Sequence, residues 1–345
     1  MKTVMKTVGR VLIVVLITVL VVFAALMGLI TILTHGPSTD ARRLFTLSCN
    51  ETSALKWVPG IFISDEVENA ILNPEPEKEI PSALPAFTYL DYENQDERPE
   101  ESPLVVVETV EENTPPEDYV TSEDIKGGTF KGKMMIVKDP SKVIVGTLDR
   151  YGAGPGLLLH EFIEKFDAVG GVNAGGFEDT NGMGNGGTPH GIVMRDGQIA
   201  WGNAASSYNN VIGFDGDHIL HVGTMTGQQA LDLGLVTAVS FPPGPTLIKD
   251  GNKMTGLGGG MNPRTALGQR SDGSVCILVV EGRKPDSMGA TYDDLANILF
   301  DHGCVNAGSL DGGSSSVMYF NGEQITRSSN VVGLRALPDC ILVMR

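Results

Sequence analysis

The chain has 345 residues, a formal net charge of -17 and a pI near 4.7. Its length admits one large domain with appendages, and its charge excludes the basic stripe that a nucleic-acid partner requires. The acidity is concentrated: residues 65–124 carry 19 acidic side chains against Lys78 and Arg98, whereas residues 126–345 hold 17 basic and 21 acidic ones, the balance of an ordinary soluble domain.

Residues 1–10 carry Lys2, Lys6 and Arg10 and precede an uncharged apolar run over 11–34. At about 1.5 Å per residue that run spans a hydrocarbon core of about 30 Å. No small-residue cleavage site follows it, so an uncleaved signal-anchor is expected, with 1–10 cytoplasmic, 11–34 in the membrane and the C-terminal bulk extracytoplasmic. Arg42 and Arg43 on the far flank reduce the charge asymmetry. Residues 35–125 form an acidic Pro/Glu-rich spacer, too poor in apolar residues to offset chain entropy, and are expected to be largely disordered apart from a strand-like run over 104–107.

Residues 126–345 read as one domain. Asp139-Pro140 marks a turn between two strands, and Asp196-Gly197, Asp250-Gly251, Asp272-Gly273 and Asn321-Gly322 flag hairpins. Helical spacing covers 157–166; a second helix over 226–233 opens with Thr226 and Gln229 as a capping box, and a third over 291–302 opens with Thr291 and Asp294. The fold class is therefore α+β: antiparallel or mixed sheet with many hairpins and about three helices, preceded by one N-terminal transmembrane helix. Cys49, Cys276, Cys304 and Cys340 show no ligand spacing, which argues against structural zinc. Cys276 and Cys340 sit in apolar runs, either as buried free thiols or as a disulfide.

Three glycine-rich stretches carry candidate chemistry. The first, 170–191, supplies Asn173, Gly175, Gly176, Glu178, Asp179 and His190, with glycines that let backbone N–H groups approach an anion. A long turn-rich loop is the plainer alternative. The second places Arg264 and Thr265 after Pro263, where an arginine beside glycine amides suits bidentate capture of phosphate; Arg283 and Arg335 offer the same chemistry, and a surface ion pair is the alternative for each. The third runs from Asp311 through Gly312, Gly313, Ser314 and Ser315, a carboxylate at a strand end followed by hydroxyls suited to sugar or phosphate oxygens. A further hairpin turn is the competing reading there. No nucleophile elbow, zincin helix, Walker A loop or complete EF-hand is present.

In this order, VGGVNAGGF, PRTALG, VVEGR, ATYDDLANIL, SLDGGSSS and LRALPDCILV resemble the phosphodiester glycosidase family, over residues 125–345. The resemblance implies hydrolysis of sugar-1-phosphodiester bonds, with Asn173, Arg264, Arg283, Asp311 and Arg335 at the family's polar positions. The chain departs from the family pattern at Glu281, where Asp is common, and at Ser314, where a third Gly is common. Asp311 is the expected catalytic carboxylate, stabilising or attacking an oxocarbenium-like centre. Arg264 and Arg283 would balance the leaving phosphate, and Glu178, Asp179 or His190 would activate water. No cofactor is expected and no metal ligands are assigned, the sequence leaving a metal requirement open; the partners are a glycan or sugar-phosphate substrate, as in cell-envelope glycopolymer or exopolysaccharide, and the membrane. A non-catalytic module binding anionic glycan, a sugar-phosphate transferase and a metal-dependent phosphodiesterase are the alternatives.

Overall fold

The computed structural model describes residues 2–52, 54–73, 105, 115–180, 184–330 and 333–345, and the chain divides into two compact units, Met1–Ala83 and Leu84–Arg345. Eight α-helices occur among the described residues, which corrects the expectation of about three beyond the membrane helix. The extra helices lie mostly in the stretch read as spacer. α1 (Lys2–His35) contains Arg10–His35, long and apolar enough to cross a membrane, with a mean hydropathy of 3.2. It is followed by α2 (Thr39–Asn50), α3 (Pro59–Phe62) and α4 (Asp65–Leu72). Their signals are local: the Ser38 and Ser64 hydroxyls accept from the N–H groups of Ala41 and Val67, and Pro59 opens α3. α5 (Pro116–Tyr119) belongs to the second unit and leads into its first strand. The rest of the spacer, 74–104 and 106–114, including all of the 104–107 run except Val105, lies outside the described residues.

The second unit is built on three antiparallel sheets. The first has the order β1 (Val120–Lys126), β2 (Lys131–Val137), β13 (Val275–Val280), β12 (Arg264–Arg270), β14 (Cys304–Leu310), β10 (Thr246–Lys249), β11 (Asn252–Lys253). The second runs β16 (Glu323–Gln324), β15 (Met318–Phe320), β4 (Ala168–Asn173), β17 (Asp339–Met344), β3 (Val143–Thr147). The third runs β6 (Gln198–Trp201), β5 (Val193–Arg195), β9 (Leu235–Ser240), β7 (Ser207–Asp215), β8 (Leu220–Thr226). β5–β6, β10–β11, β12–β13 and β15–β16 are the Asp-Gly and Asn-Gly hairpins. At Asn321-Gly322 both residues take positive φ, the twist a two-residue hairpin requires. Asp139-Pro140 does separate two strands, but Asp139 caps a short 3-10 turn and the chain crosses from the first sheet into the second.

One face of every sheet enters a shared core that includes Met135, Ile277, Val172, Ile341, Ile212 and Val239. The opposite faces are each closed by a helix. α8 (Tyr292–Asp301) lays Leu295 and Leu299 on the first sheet, α6 (Leu159–Phe166) lays Leu159 and Phe162 on the second, and α7 (Gly227–Asp232) sets Ala230 on the third. Burial on both faces explains why β13 reads VCILVV without alternation. Each fully buried Leu contributes roughly 2 kcal/mol relative to an exposed one. All four cysteines are free and buried. Cys276 lies on β13 of the first sheet and Cys340 on β17 of the second, and both are free, so the Cys276–Cys340 disulfide is absent.

Candidate functional site

Antiparallel pairing brings the ends of strands from two sheets to one place. Arg264 opens β12 opposite Val280 at the end of β13, and Thr265 lies opposite Leu310 at the end of β14. In the second sheet Asn173 ends β4 opposite Cys340 near the start of β17. The two sheets are stitched there: the Asp311 N–H donates to Ala174 O at 2.8 Å, and Asn173 Nδ2 donates to Asp311 O at 2.5 Å. Asn173 Oδ1 accepts from Thr265 Oγ1 at 2.9 Å and from the Val317 N–H at 3.2 Å. Asn173 and Thr265 are fully buried, so their hydrogen bonds fix the seam between the sheets.

Asp311 follows β14 and is half-buried. Burial pushes its carboxyl up to about 6, against donation from the Ser315 hydroxyl and the Gly312 N–H and against the positive charge of Arg335. Gly313 turns the loop with φ of 64°, and its N–H donates to Pro263 O at 2.8 Å; a side chain at Gly312 would meet that same carbonyl at 2.9 Å. The two glycines therefore let the Asp311 loop lie flat on the start of β12.

Arg335 reaches this loop from the segment before β17, with Nη1 3.4 Å from Ser314 Oγ and the guanidinium over the Phe177 ring. Asp179 is its bidentate partner and also accepts from the Gly184 N–H, which holds the Asp179 carboxyl below its ordinary value. Arg283 sits after β13 with φ of 56°; its Nη2 and Nε donate to Asn262 Oδ1 at 3.1 and 3.4 Å, and its guanidinium lies 3.4 Å from where a Gly313 side chain would begin. Arg264 behaves differently. It is 4% exposed, stacks at 3.8 Å over Tyr292 and donates to Gly260 O and Ala290 O, so its guanidinium is committed to backbone and ring.

Gly175 and Gly176 continue from Asn173, with their N–H groups donating to Asp339 Oδ1 at 2.6 Å and Ser240 O at 3.2 Å, which turns both amides inward. Glu178 and His190 are exposed, joined to the rest by backbone pairing of 176–178 with 188–190. The structure thus gathers Asn173, Thr265, Asp311 to Ser315, Arg283, Arg335 and Asp179, and leaves Glu178 and His190 on the exposed stretch beside them.

Two residues, Asp339 and Asn262, escaped the sequence reading, and a third, Glu281, stood out there only as a departure from the family pattern. Asp339 is fully buried, with Oδ2 lacking a hydrogen-bond partner, and burial together with the charge of Asp311 lifts it to about 7. Its signal was a polar residue immediately ahead of the wholly buried run CILV. Glu281 is buried and accepts from both Arg327 N and Arg327 Nε, at 2.8 and 2.6 Å, which anchors the root of the segment bearing Arg283. Asn262 is the residue on which Arg283 rests.

Residues 166–344 match the model of the phosphodiester glycosidase family. The chain is 29% identical over 243 residues to the SPbeta prophage-derived uncharacterized protein YomE of Bacillus subtilis, covering 66% of this chain but only 36% of that relative. It is similar in structure to the catalytic domain of zebrafish N-acetylglucosamine-1-phosphodiester alpha-N-acetylglucosaminidase, solved in a form auto-inhibited by its pro-peptide. That likeness has a TM-score of 0.55 and 22% identity over 70% of this chain and 87% of that one. A putative exported protein from Burkholderia pseudomallei matches with a TM-score of 0.48 and 15% identity, over 63% of this chain and 74% of that one. With more than half of its length matched by the family model, the chain belongs to the phosphodiester glycosidase family.

Proposed function

We propose that the chain is a membrane-anchored, extracytoplasmic hydrolase that cleaves sugar-1-phosphodiester bonds, in cell-envelope glycopolymer or exopolysaccharide. The observation that carries this reading is a half-buried carboxyl, Asp311, raised to about 6 and set beside Arg335, which Asp179 grips through both carboxylate oxygens. At neutral pH Asp311 is mostly ionised, in the form that stabilises or attacks an oxocarbenium-like centre. A phosphodiester leaving group departs as an anion with little need of a proton, so fixed positive charge replaces much of a general acid. Arg335 and Arg283 supply that charge; the buried Arg264 shapes the loop beneath them. The Ser314 hydroxyl and the loop glycines accommodate sugar or phosphate oxygens. Asp179, already paired, positions Arg335, which leaves Glu178 or His190 to activate water.

The test is release of free sugar from a panel of sugar-1-phosphodiesters, beginning with an N-acetylglucosamine-1-phosphodiester, by the full chain in detergent micelles. The full chain is preferred because β1 begins at Val120, and a truncation at 126 would remove the strand that pairs with β2 along its whole length. Turnover by the wild type that Asp311→Asn abolishes supports the reading. Saturable glycan binding without product would replace it with a binding module, and a product that appears only with an added acceptor would replace it with a transferase.

A further inference from the structure

The residues after α1 fold back on the end of the helix. Arg42 of α2 donates through Nε to Thr34 O and through Nη2 to Gly36 O, capping carbonyls that the end of α1 leaves without helical partners. α2 and α3 both pack on α1, and α4 packs on α2 and α3. The cover is confined to the end of the apolar run: Met27, Ile30 and Leu33 are partly buried and Thr34 is buried, whereas every described residue from Arg10 to Leu26 is exposed. These short helices are therefore fixed at the level where the apolar run gives out.

That placement leaves an apolar surface without cover. Leu55, Trp57 and Ile61 are 45%, 65% and 60% exposed within the single segment 55–61. The indole N–H of Trp57 donates to Ala54 O at 2.9 Å, so the ring can leave water without stranding a donor. Lys56, exposed between Leu55 and Trp57, has the reach to hold its ammonium in water while its stem lies along apolar surface. Residues 36–72 hold Arg42, Arg43 and Lys56 against Asp40, Glu51, Asp65, Glu66 and Glu68. A net negative segment is not drawn to anionic headgroups, so apolar contact is the attraction.

We propose that residues 36–72 form a collar lying in the lipid–water interface around the outer end of α1, with Leu55, Trp57 and Ile61 seated among headgroups and upper acyl chains. The occupant of this surface is the bilayer itself, because the surface is continuous with a helix whose apolar run ends at the same level, and aromatic side chains favour that boundary. The inference rests on α1 spanning the membrane. It adds a second, monotopic contact that fixes where the chain leaves the surface.

The chain has two tryptophans, so Trp201→Phe makes Trp57 the sole indole reporter in the full-length protein. This variant is reconstituted in phosphatidylcholine vesicles containing lipids brominated either near the headgroup or near the acyl end. Flotation reports α1 anchorage separately from the collar. The expected result is flotation, blue-shifted emission, and quenching by shallow bromine that exceeds quenching by deep bromine roughly twofold, unchanged by high salt. Flotation with water-like, unquenched emission overturns the collar while leaving the anchor intact. Blue-shifted but unquenched emission overturns it in favour of a protein contact, and failure to float removes both the anchor and the collar.

Discussion

Arg335 and Asp179 meet through two parallel hydrogen bonds, Nη1 to Oδ2 at 2.6 Å and Nη2 to Oδ1 at 2.8 Å. Such a fork holds a guanidinium in plane far better than a single contact. The two charges act on Asp311 in opposite directions, Arg335 lowering its pKa and Asp179 raising it. Arg335→Ala should therefore move the rising limb of the activity profile above about pH 6, and Asp179→Asn should move it below. Arg335→Lys should recover little, because an ammonium cannot repeat the fork. Rate measurements across the acid range, with both variants compared to wild type, decide the matter; shifts of the same sign in both would be incompatible with it.

Asp311→Asn removes the carboxylate but leaves its N–H bond to Ala174 O and the acceptance of Asn173 Nδ2 by its carbonyl, which are backbone groups. Turnover should fall by about a thousandfold or more while circular dichroism and melting temperature stay near wild type. Retained turnover in the folded variant would rule out Asp311 as the catalytic carboxylate.

The arginines separate into two kinds. Arg264→Ala gives up ring stacking and buried carbonyl contacts and should cost on the order of 3 kcal/mol of stability. Arg283 is exposed and rests on Asn262, so Arg283→Ala should melt within about 0.5 kcal/mol of wild type yet raise KM about tenfold for a phosphodiester substrate. Thermal melts beside steady-state kinetics test both expectations at once.

Asp339 holds its proton more tightly when folded than when unfolded, at about 7 against an ordinary 3.8. A raised acid binds more protons in the folded state between those values, so it makes stability fall as pH rises from about 4 to about 7, and nothing further is lost above that. The penalty at alkaline pH is roughly 4 kcal/mol at most. Asp339→Asn keeps an oxygen for the Gly175 N–H and cannot ionise. It should flatten the pH dependence of the melting temperature and melt higher than wild type by several degrees at about pH 8. Denaturation across this pH range would show the slope unchanged if Asp339 were not the source.

Local chemistry was readable where a short run of residues decides the geometry. Asp196-Gly197 and Asn321-Gly322 dictate their turns through positive φ at both positions, and Thr226 with Gln229 and Thr291 with Asp294 cap α7 and α8 as their spacing requires. The distribution of strands among three sheets was not readable, because β2 and β3 flank one short turn and yet pair with different partners far along the chain. The same division runs through the site. Asn173, Asp311 and Arg335 stood out as polar residues beside glycines, but nothing near Arg264 in the sequence distinguishes an arginine buried over Tyr292 from one facing a ligand. Asp339 and Glu281 draw their roles from Gly175 and Arg327, partners far along the chain. The helices α2 and α4 lie in the stretch read as spacer, where the Pro/Glu-rich composition of the neighbouring residues outweighed the short cap signals at Ser38 and Ser64.

The pairing of β17 with β3 and β4 sets an order on events during synthesis. The third sheet is made from strands close in sequence, β5 to β9, and can close while later residues are still being made. The seam between the other two sheets cannot, since Asn173 awaits both Asp311 and Cys340. A chain still being made therefore holds its arginines and its carboxylate apart, and the site is complete only once β17 has been synthesised.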